Sequence, residues 1–253
     1  MLNLISIIFG ALVGSFLNVC IFRLPKEESI IWPGSHCPHC KKPIRFYDNI
    51  PLISYLLLKG KCRHCKKPIS FQYPLIEGIT ALSSLFLIMK FGPSLSYLFY
   101  FAFVAALIVI TVIDLYHQII PDAISLPGIG VGLLASLLIP QITFFNSLIG
   151  ILLGGGSLFI VATFYQWLFK REGMGGGDIK LLAMIGAFLG WKAVLLTILL
   201  SSFIGSVTGI LMMVVKGKDF KYAIPFGPFL SLGAAISLFY GQNIINWYLY
   251  LNR

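Results

Sequence analysis

Residues 95–117 read LSYLFYFAFVAALIVITVIDLYH, and this stretch decides the fold. Residues 95–113 carry no charged side chain, and a helix needs about 20 apolar residues to cross a bilayer. The first charge after this run is the carboxylate of Asp114. The stretch therefore predicts a membrane-spanning helix with an acidic residue at one end.

Apolar segments of similar kind flank this one on both sides. They occupy residues 1–22, 75–89, 123–139, 145–169, 179–191, 193–215 and 225–251. Of the 253 residues, 58% are hydrophobic and only 11% are charged, against roughly 25% charged residues in a soluble domain. This composition excludes a water-soluble globule and predicts an all-α polytopic membrane protein with about eight transmembrane helices. Segment 179–191 is short, so it predicts a partial helix or a helix whose ends lie in a protein-lined cavity.

The basic residues predict the orientation and the domains. Of the 19 Lys and Arg residues, all but Lys90, Lys192 and Arg253 fall on one side if the amino terminus lies outside. The positive-inside rule then puts residues 23–74 in the cytoplasm. We expect a first transmembrane helix over residues 1–22, a cytoplasmic module over 23–74 and a seven-helix membrane domain over 75–253. The net charge of +10 is explained by orientation and attraction to membrane lipid, so we expect no nucleic-acid partner.

Four of the five cysteines lie in the predicted module. The text CPHCKKPI at residues 37–44 recurs as CRHCKKPI at residues 62–69. Two C-x2-C pairs supply four thiolates, enough for a closed tetrahedral zinc site, and a disulfide is disfavoured in a reducing cytoplasm. A site with four protein ligands is structural, so we expect Zn²⁺ to stabilise the module. The predicted ligands are Cys37, Cys40, Cys62 and Cys65, although a neighbouring histidine could replace one of them.

Acidic residues inside or beside the apolar segments are candidates for chemistry. Asp114 ends one segment and Asp178 begins another, and the predicted topology puts both at the cytoplasmic boundary. Each alone could be an ordinary helix-end residue. Two carboxylates at one depth, the second preceded by glycines that allow a substrate backbone to approach, favour a catalytic pair that shares one proton. From helix direction we expect Asp178 to be the ionised base and Asp114 the protonated acid.

The chain resembles the type IV prepilin peptidase family over essentially its whole length. The motifs that carry the resemblance are GSFLNV at 14–19 with RLP at 23–25, both cysteine pairs, YPLIE at 73–77, D-x6-P-D from Asp114, and G-x-G-D at 175–178 followed by Lys180. The resemblance implies that Asp114 and Asp178 are the catalytic pair of a membrane aspartyl protease. Gly175, Gly177 and Lys180 are then supporting residues.

The resemblance also implies a substrate, a second reaction and a location. The substrate would be a prepilin or pseudopilin, cleaved after a glycine on the cytoplasmic side of the bacterial inner membrane. The new amino terminus would be methylated from S-adenosylmethionine, for which no G-x-G-x-x-G motif supplies a site. Glu77, a carboxylate within an apolar segment, is a candidate for that second reaction or a structural partner of a nearby cation.

Two other functions remain open at this point. Asp114, Asp178 and Glu77 could form the ion or proton path of a transporter, although no inverted repeat is evident. The chain could also be a non-enzymatic scaffold of a pilus or secretion machine. The sequence leaves the specific pilin, the oligomeric state and the distance between the two aspartates undetermined.

Overall fold

The computed structural model describes residues 1–170, 175–216 and 224–251, and helices dominate them. A helix forms at every predicted apolar segment, and a short helix, α2, lies in the module. The helices are α1 (Leu2–Arg23), α2 (Ile53–Leu57), α3 (Gln72–Phe91), α4 (Leu95–His117), α5 (Asp122–Leu138), α6 (Phe144–Phe169), α7 (Gly176–Leu189), α8 (Trp191–Lys216) and α9 (Gly227–Leu251).

Within the described ranges, six helices are long and apolar enough to cross a membrane: α1, α3, α4, α6, α8 and α9. The prediction of an all-α multi-pass membrane protein is therefore confirmed. Helix α5 is a shorter apolar helix and α7 has only 14 residues, so a total of eight crossings stays a prediction. Of the cations used to predict the orientation, Arg171, Lys218, Lys221 and Arg253 lie outside the described residues.

The chain forms two compact units that divide within α4, between Val109 and Ile110. The three-part division at residues 1–22, 23–74 and 75–253 stays a prediction. In the first unit, α1 packs along α3 through glycines. A Cβ on Gly10 would lie 2.7 Å from the Ser84 Cβ, and one on Gly14 would lie 2.7 Å from the Glu77 Cα. Small residues thus allow these two helices to approach closely.

The second unit is built around α7. Residues 181–188 of this helix are all buried, and α7 contacts α5, α6, α8 and α9. Gly150 and Gly154 of α6 pack onto its backbone, and the Ser147 hydroxyl donates to the carbonyl oxygen of Ala187 at 2.7 Å. Because α7 is surrounded by protein, its 14 residues do not need to match the thickness of the bilayer.

Candidate functional site

Asp114 lies near the carboxyl end of α4 and is 95% buried. Its Oδ2 accepts a hydrogen bond of 3.0 Å from the backbone N–H of Gly227, the first residue of α9. A Cβ on Gly227 would lie 2.6 Å from the same oxygen, so a glycine fits this contact best. Sequence reasoning missed Gly227. The signal was the text Phe226-Gly227-Pro228, in which proline begins a helix and the preceding glycine leaves room for a close contact.

Asp178 lies in the first turn of α7, where its backbone N–H donates to the Gly175 carbonyl oxygen at 3.2 Å. Its carboxylate is close enough to Asp114 to interact electrostatically with it. The two residues are 64 positions apart in sequence, yet they share one site in the second unit. Their catalytic role stays a prediction.

Ile120, in the connection between α4 and α5, packs against the first residues of both α7 and α9. A Cβ on Gly177 would lie 2.8 Å from the Ile120 Cβ, and one on Gly227 would lie 3.3 Å from its Cδ1. A Cβ on Gly175 would meet none of the described residues closer than 4.0 Å. Of the two predicted supporting glycines, Gly177 is therefore required by packing, whereas the described residues leave space beside Gly175.

Lys180 pairs with a residue that the sequence left unassigned. Its Nζ lies 2.7 Å from both carboxylate oxygens of Asp122, the first residue of α5. Both side chains are partly exposed. The ion pair joins the first turns of α5 and α7, and it does not involve either candidate catalytic aspartate.

The four cysteines of the module form one cluster. The sulfur atoms of Cys37, Cys40, Cys62 and Cys65 all lie within 4.8 Å of one another, so the cluster can hold a metal ion. The sequence repeat is also a structural repeat. The N–H of Cys37 donates to the Lys42 carbonyl oxygen and that of Cys62 to the Lys67 carbonyl oxygen, at 3.0 and 2.9 Å. Two matching turns thus present their thiols to a common centre.

The thiols of this cluster differ in acidity. Backbone N–H groups of Cys65 and His64 donate to the Cys62 sulfur and lower the pKa of Cys62 to about 6. The Lys67 N–H acts in the same direction on Cys65, but desolvation and hydrogen bonds with the other three thiols raise the pKa of Cys65 to about 11. The cluster thus holds one thiol that ionises easily and three others hydrogen-bonded near it. Such a set of sulfur donors suits a divalent cation.

The module is also held by a salt bridge. Arg63, between the cysteines of the second pair, donates to both carboxylate oxygens of Asp48, with its Nη2 2.6 Å from Oδ1 and its Nε 2.8 Å from Oδ2. This hydrogen-bonded partner lowers the pKa of the Asp48 carboxyl group. The contact ties the segment between the two pairs to the second turn.

Glu77 is buried in α3 and belongs to the first unit. Its Oε2 accepts a hydrogen bond of 2.8 Å from the backbone N–H of Leu52, the residue that precedes α2. Among the described residues, ion pairs join Arg63 to Asp48 and Lys180 to Asp122, and Glu77 takes part in neither. In the part of the chain that the structure describes, the carboxylate of Glu77 thus has two hydrogen-bond partners, the Leu52 amide and the Ser15 side chain.

Comparisons with known proteins identify the family of the chain. A family model described as the bacterial peptidase A24 N-terminal domain matches residues 8–91, and one described as the type IV leader peptidase family matches residues 101–210. A relative from Aeromonas hydrophila named prepilin leader peptidase/N-methyltransferase is 38% identical over 96% of this chain and 92% of its own length. The chain belongs to the type IV leader peptidase family.

Other relatives of this leader peptidase carry the same name. One from Pseudomonas aeruginosa is 38% identical over 97% of this chain and 93% of its own length. One from Legionella pneumophila is 35% identical over 96% of this chain and 92% of its own length. No solved structure matches the chain. The predicted family and peptidase class are confirmed, and the transporter and scaffold alternatives are not favoured.

The two matched regions of this leader peptidase divide the candidate residues between them. The N-terminal match contains the four cysteines and Glu77, and the second match contains Asp114, Asp178 and Lys180. Gly227 lies beyond residue 210, outside both matches. The hydrogen bond to Asp114 therefore comes from a part of the chain that the family models do not cover.

Proposed function

We propose that this chain is an aspartyl endopeptidase that cleaves the leader peptide of type IV prepilins or pseudopilins after a glycine. The observation that carries the proposal is the proximity of Asp114, a buried carboxylate near the end of α4, to Asp178, a half-buried carboxylate at the start of α7. We further propose that the enzyme lies in the bacterial inner membrane with its amino terminus outside. The aspartates and the module then face the cytoplasm.

The chemistry needs one proton shared between two carboxylates. Two carboxylates in electrostatic contact do not both ionise readily, so one carries a proton while the other stays charged. The charged member takes a proton from water, and the resulting hydroxide oxygen attacks the carbonyl carbon of the scissile bond. The other member donates its proton to the carbonyl oxygen. Collapse of the tetrahedral intermediate breaks the C–N bond as the leaving amine takes a proton.

The proposed position of the two aspartates suits a prepilin substrate. A prepilin has an apolar stem helix that would lie in the bilayer and a basic leader that would remain in the cytoplasm. Its scissile bond would then lie at the depth proposed for Asp114 and Asp178. A glycine before the bond suits a narrow approach, and the open space beside Gly175 and Gly176 supports such an approach.

We propose Zn²⁺ as the metal of the module and S-adenosylmethionine as the second substrate, used for methyl transfer. Zn²⁺ held by Cys37, Cys40, Cys62 and Cys65 would fix the fold of a module too small to bury a large core. S-adenosylmethionine would donate the methyl group to the amine released by cleavage. Glu77 is the candidate carboxylate for that step, supported by its burial.

The test uses purified full-length protein in detergent, a prepilin and isotopically labelled S-adenosylmethionine. Mass spectrometry reads leader removal and methylation separately. We expect wild-type protein to do both, and Asp114→Asn and Asp178→Asn each to lose cleavage. Asp122→Asn is the matched control, because Asp122 pairs with Lys180 rather than with the dyad, and it should cleave normally. Failure of wild type to cleave, or normal cleavage by both dyad variants, would contradict the proposal.

A further inference from the structure

Few backbone N–H groups in the first turn of α9 can donate a hydrogen bond to a group outside that turn. The N–H groups of Phe229 and Leu230 both donate to the Phe226 carbonyl oxygen at 3.1 Å. Pro228 has no backbone N–H at all. Among the first three residues of this helix, Gly227 is therefore the one whose amide is available to a group outside the turn.

That single amide is directed at one oxygen of the candidate dyad. The Gly227 N–H donates to Asp114 Oδ2 at 3.0 Å, and the bond is buried. It brings the positive end of the α9 dipole to a carboxylate that otherwise lies at the unfavourable end of α4. Within residues 1–170, 175–216 and 224–251, no backbone amide donates to the carboxylate of Asp178.

The contact distinguishes the two carboxylates. A hydrogen bond donated to a carboxylate favours its charged form. A direct charge-assisted hydrogen bond is also stronger than the interaction of a carboxylate with a helix dipole, which is the favourable feature that Asp178 has at the start of α7. The balance of these contacts favours charge on Asp114 and the shared proton on Asp178.

We infer that Gly227 is a positioning residue that holds Asp114 as the ionised base of the dyad, with Asp178 as the acid that carries the proton. This inference rests on the proposed peptidase function, and it reverses the assignment expected from the directions of α4 and α7. In the reaction, Asp114 takes the proton of the attacking water while Asp178 protonates the carbonyl oxygen. When the C–N bond breaks, Asp114 gives its proton to the leaving amine, and Asp178 recovers a proton from the hydroxyl of the intermediate.

The first test displaces the donor from the carboxylate. A Cβ in Gly227→Ala would lie 2.6 Å from Asp114 Oδ2, so the carboxylate and the amide must move apart. We expect kcat to fall about 10- to 100-fold, the effect of losing a hydrogen bond to a charged group, with KM within twofold of wild type. Gly241→Ala, in the same helix, is the control, because its Cβ would meet only ordinary contacts at 3.7 Å or more.

A second variant removes the hydrogen without adding a side chain. Incorporating glycolic acid at position 227 replaces the N–H with an ester oxygen and should lower kcat in the same range at an unchanged melting temperature. An unchanged kcat in the ester variant would overturn the role of Gly227. A fall in kcat would also overturn it if KM changed by a similar factor and the melting temperature fell, because that pattern indicates general damage to the structure. If wild type itself does not cleave, the peptidase proposal fails instead.

Infrared spectra test the assignment of roles. Protein labelled with ¹³C-aspartate is titrated over a range of pH, and the double Asp114→Asn, Asp178→Asn variant supplies the background of the other aspartates. We expect the protonated-carboxyl band to persist to a higher pH in Asp114→Asn, where Asp178 remains, than in Asp178→Asn. The reverse order, or loss of the band at the same pH in both variants, would overturn the assignment.

Discussion

The carboxylate of Glu77 accepts a hydrogen bond of 2.8 Å from the backbone N–H of Leu52, which joins α3 to the segment that begins α2. Leu52 has a φ of +61°, a conformation that side chains rarely adopt without support from their surroundings. The acceptor on α3 supplies such support. Glu77 thus holds part of the cysteine-containing module against the helix that follows it.

This contact predicts different effects for two substitutions. Glu77→Ala leaves the Leu52 amide without its acceptor and should cost about 1.5–3 kcal/mol locally. Glu77→Gln keeps an oxygen acceptor and should cost less. Hydrogen exchange over residues 50–58 measures both, and we expect faster exchange in the alanine variant. Methylation is measured in parallel. Loss of methylation in Glu77→Gln with normal hydrogen exchange would show that the charge of Glu77 is needed. Equal hydrogen exchange in wild type, Glu77→Ala and Glu77→Gln would contradict the structural role.

The sequence predicted the helices well because their signal is local. Each predicted apolar segment ends within a few residues of the end of an observed helix, as segment 95–113 does for α4. The hydropathy of a segment determines whether it can lie in a bilayer, and it is read directly from neighbouring residues. The cysteine cluster was predictable for a similar reason: C-x2-C spacing fixes two ligands per turn, and the repeat supplied the second pair.

Contacts between residues far apart in the chain could not be predicted from the sequence. The amide of Gly227 donates to Asp114 across 113 positions, and the text Phe226-Gly227-Pro228 indicates a close contact without indicating which residue it meets. The Lys180–Asp122 pair depends on how α5 packs against α7. The expected roles of Asp114 and Asp178 rested on the dipoles of their own helices, which do not include the hydrogen bond that α9 donates to Asp114.

Gly177 and Gly176 form a matched pair of neighbouring glycines in α7. A Cβ on Gly177 would lie 2.8 Å from the Ile120 Cβ, whereas one on Gly176 would meet none of the described residues within 4 Å. Gly177→Ala should therefore displace the first turn of α7, lower the melting temperature and reduce kcat, because overpacking commonly costs about 1–3 kcal/mol. Gly176→Ala should keep the melting temperature of wild type. Equal thermal stability of the two variants would show that Ile120 yields easily.

Removal of metal should expose one unusually reactive thiol. In protein treated with a chelator, the lowered pKa of Cys62, about 6, makes it about 90% thiolate at pH 7 and about 10% at pH 5. Cys65, with a pKa raised to about 11, stays protonated at both values. We expect iodoacetamide to label Cys62 first, and to label it about tenfold more slowly at pH 5 than at pH 7, as measured by peptide mass spectrometry. Added Zn²⁺ should protect both residues, and equal labelling rates for Cys62 and Cys65 would contradict this order.

The Lys180–Asp122 ion pair predicts a modest structural role for a lysine that the sequence linked to the catalytic motif. Its two oxygen contacts of 2.7 Å occupy the ammonium group, yet 37% of the Lys180 side chain and 56% of the Asp122 side chain are exposed, so water and salt screen the attraction. A double-mutant cycle with Lys180→Gln and Asp122→Asn should give a coupling energy below about 1 kcal/mol that shrinks as salt is added. Cleavage by either single variant should stay within about fivefold of wild type, because a free-energy change of about 1 kcal/mol alters a rate by about that factor. A loss of 100-fold or more in Lys180→Gln, not matched in Asp122→Asn, would instead assign the lysine to the reaction itself.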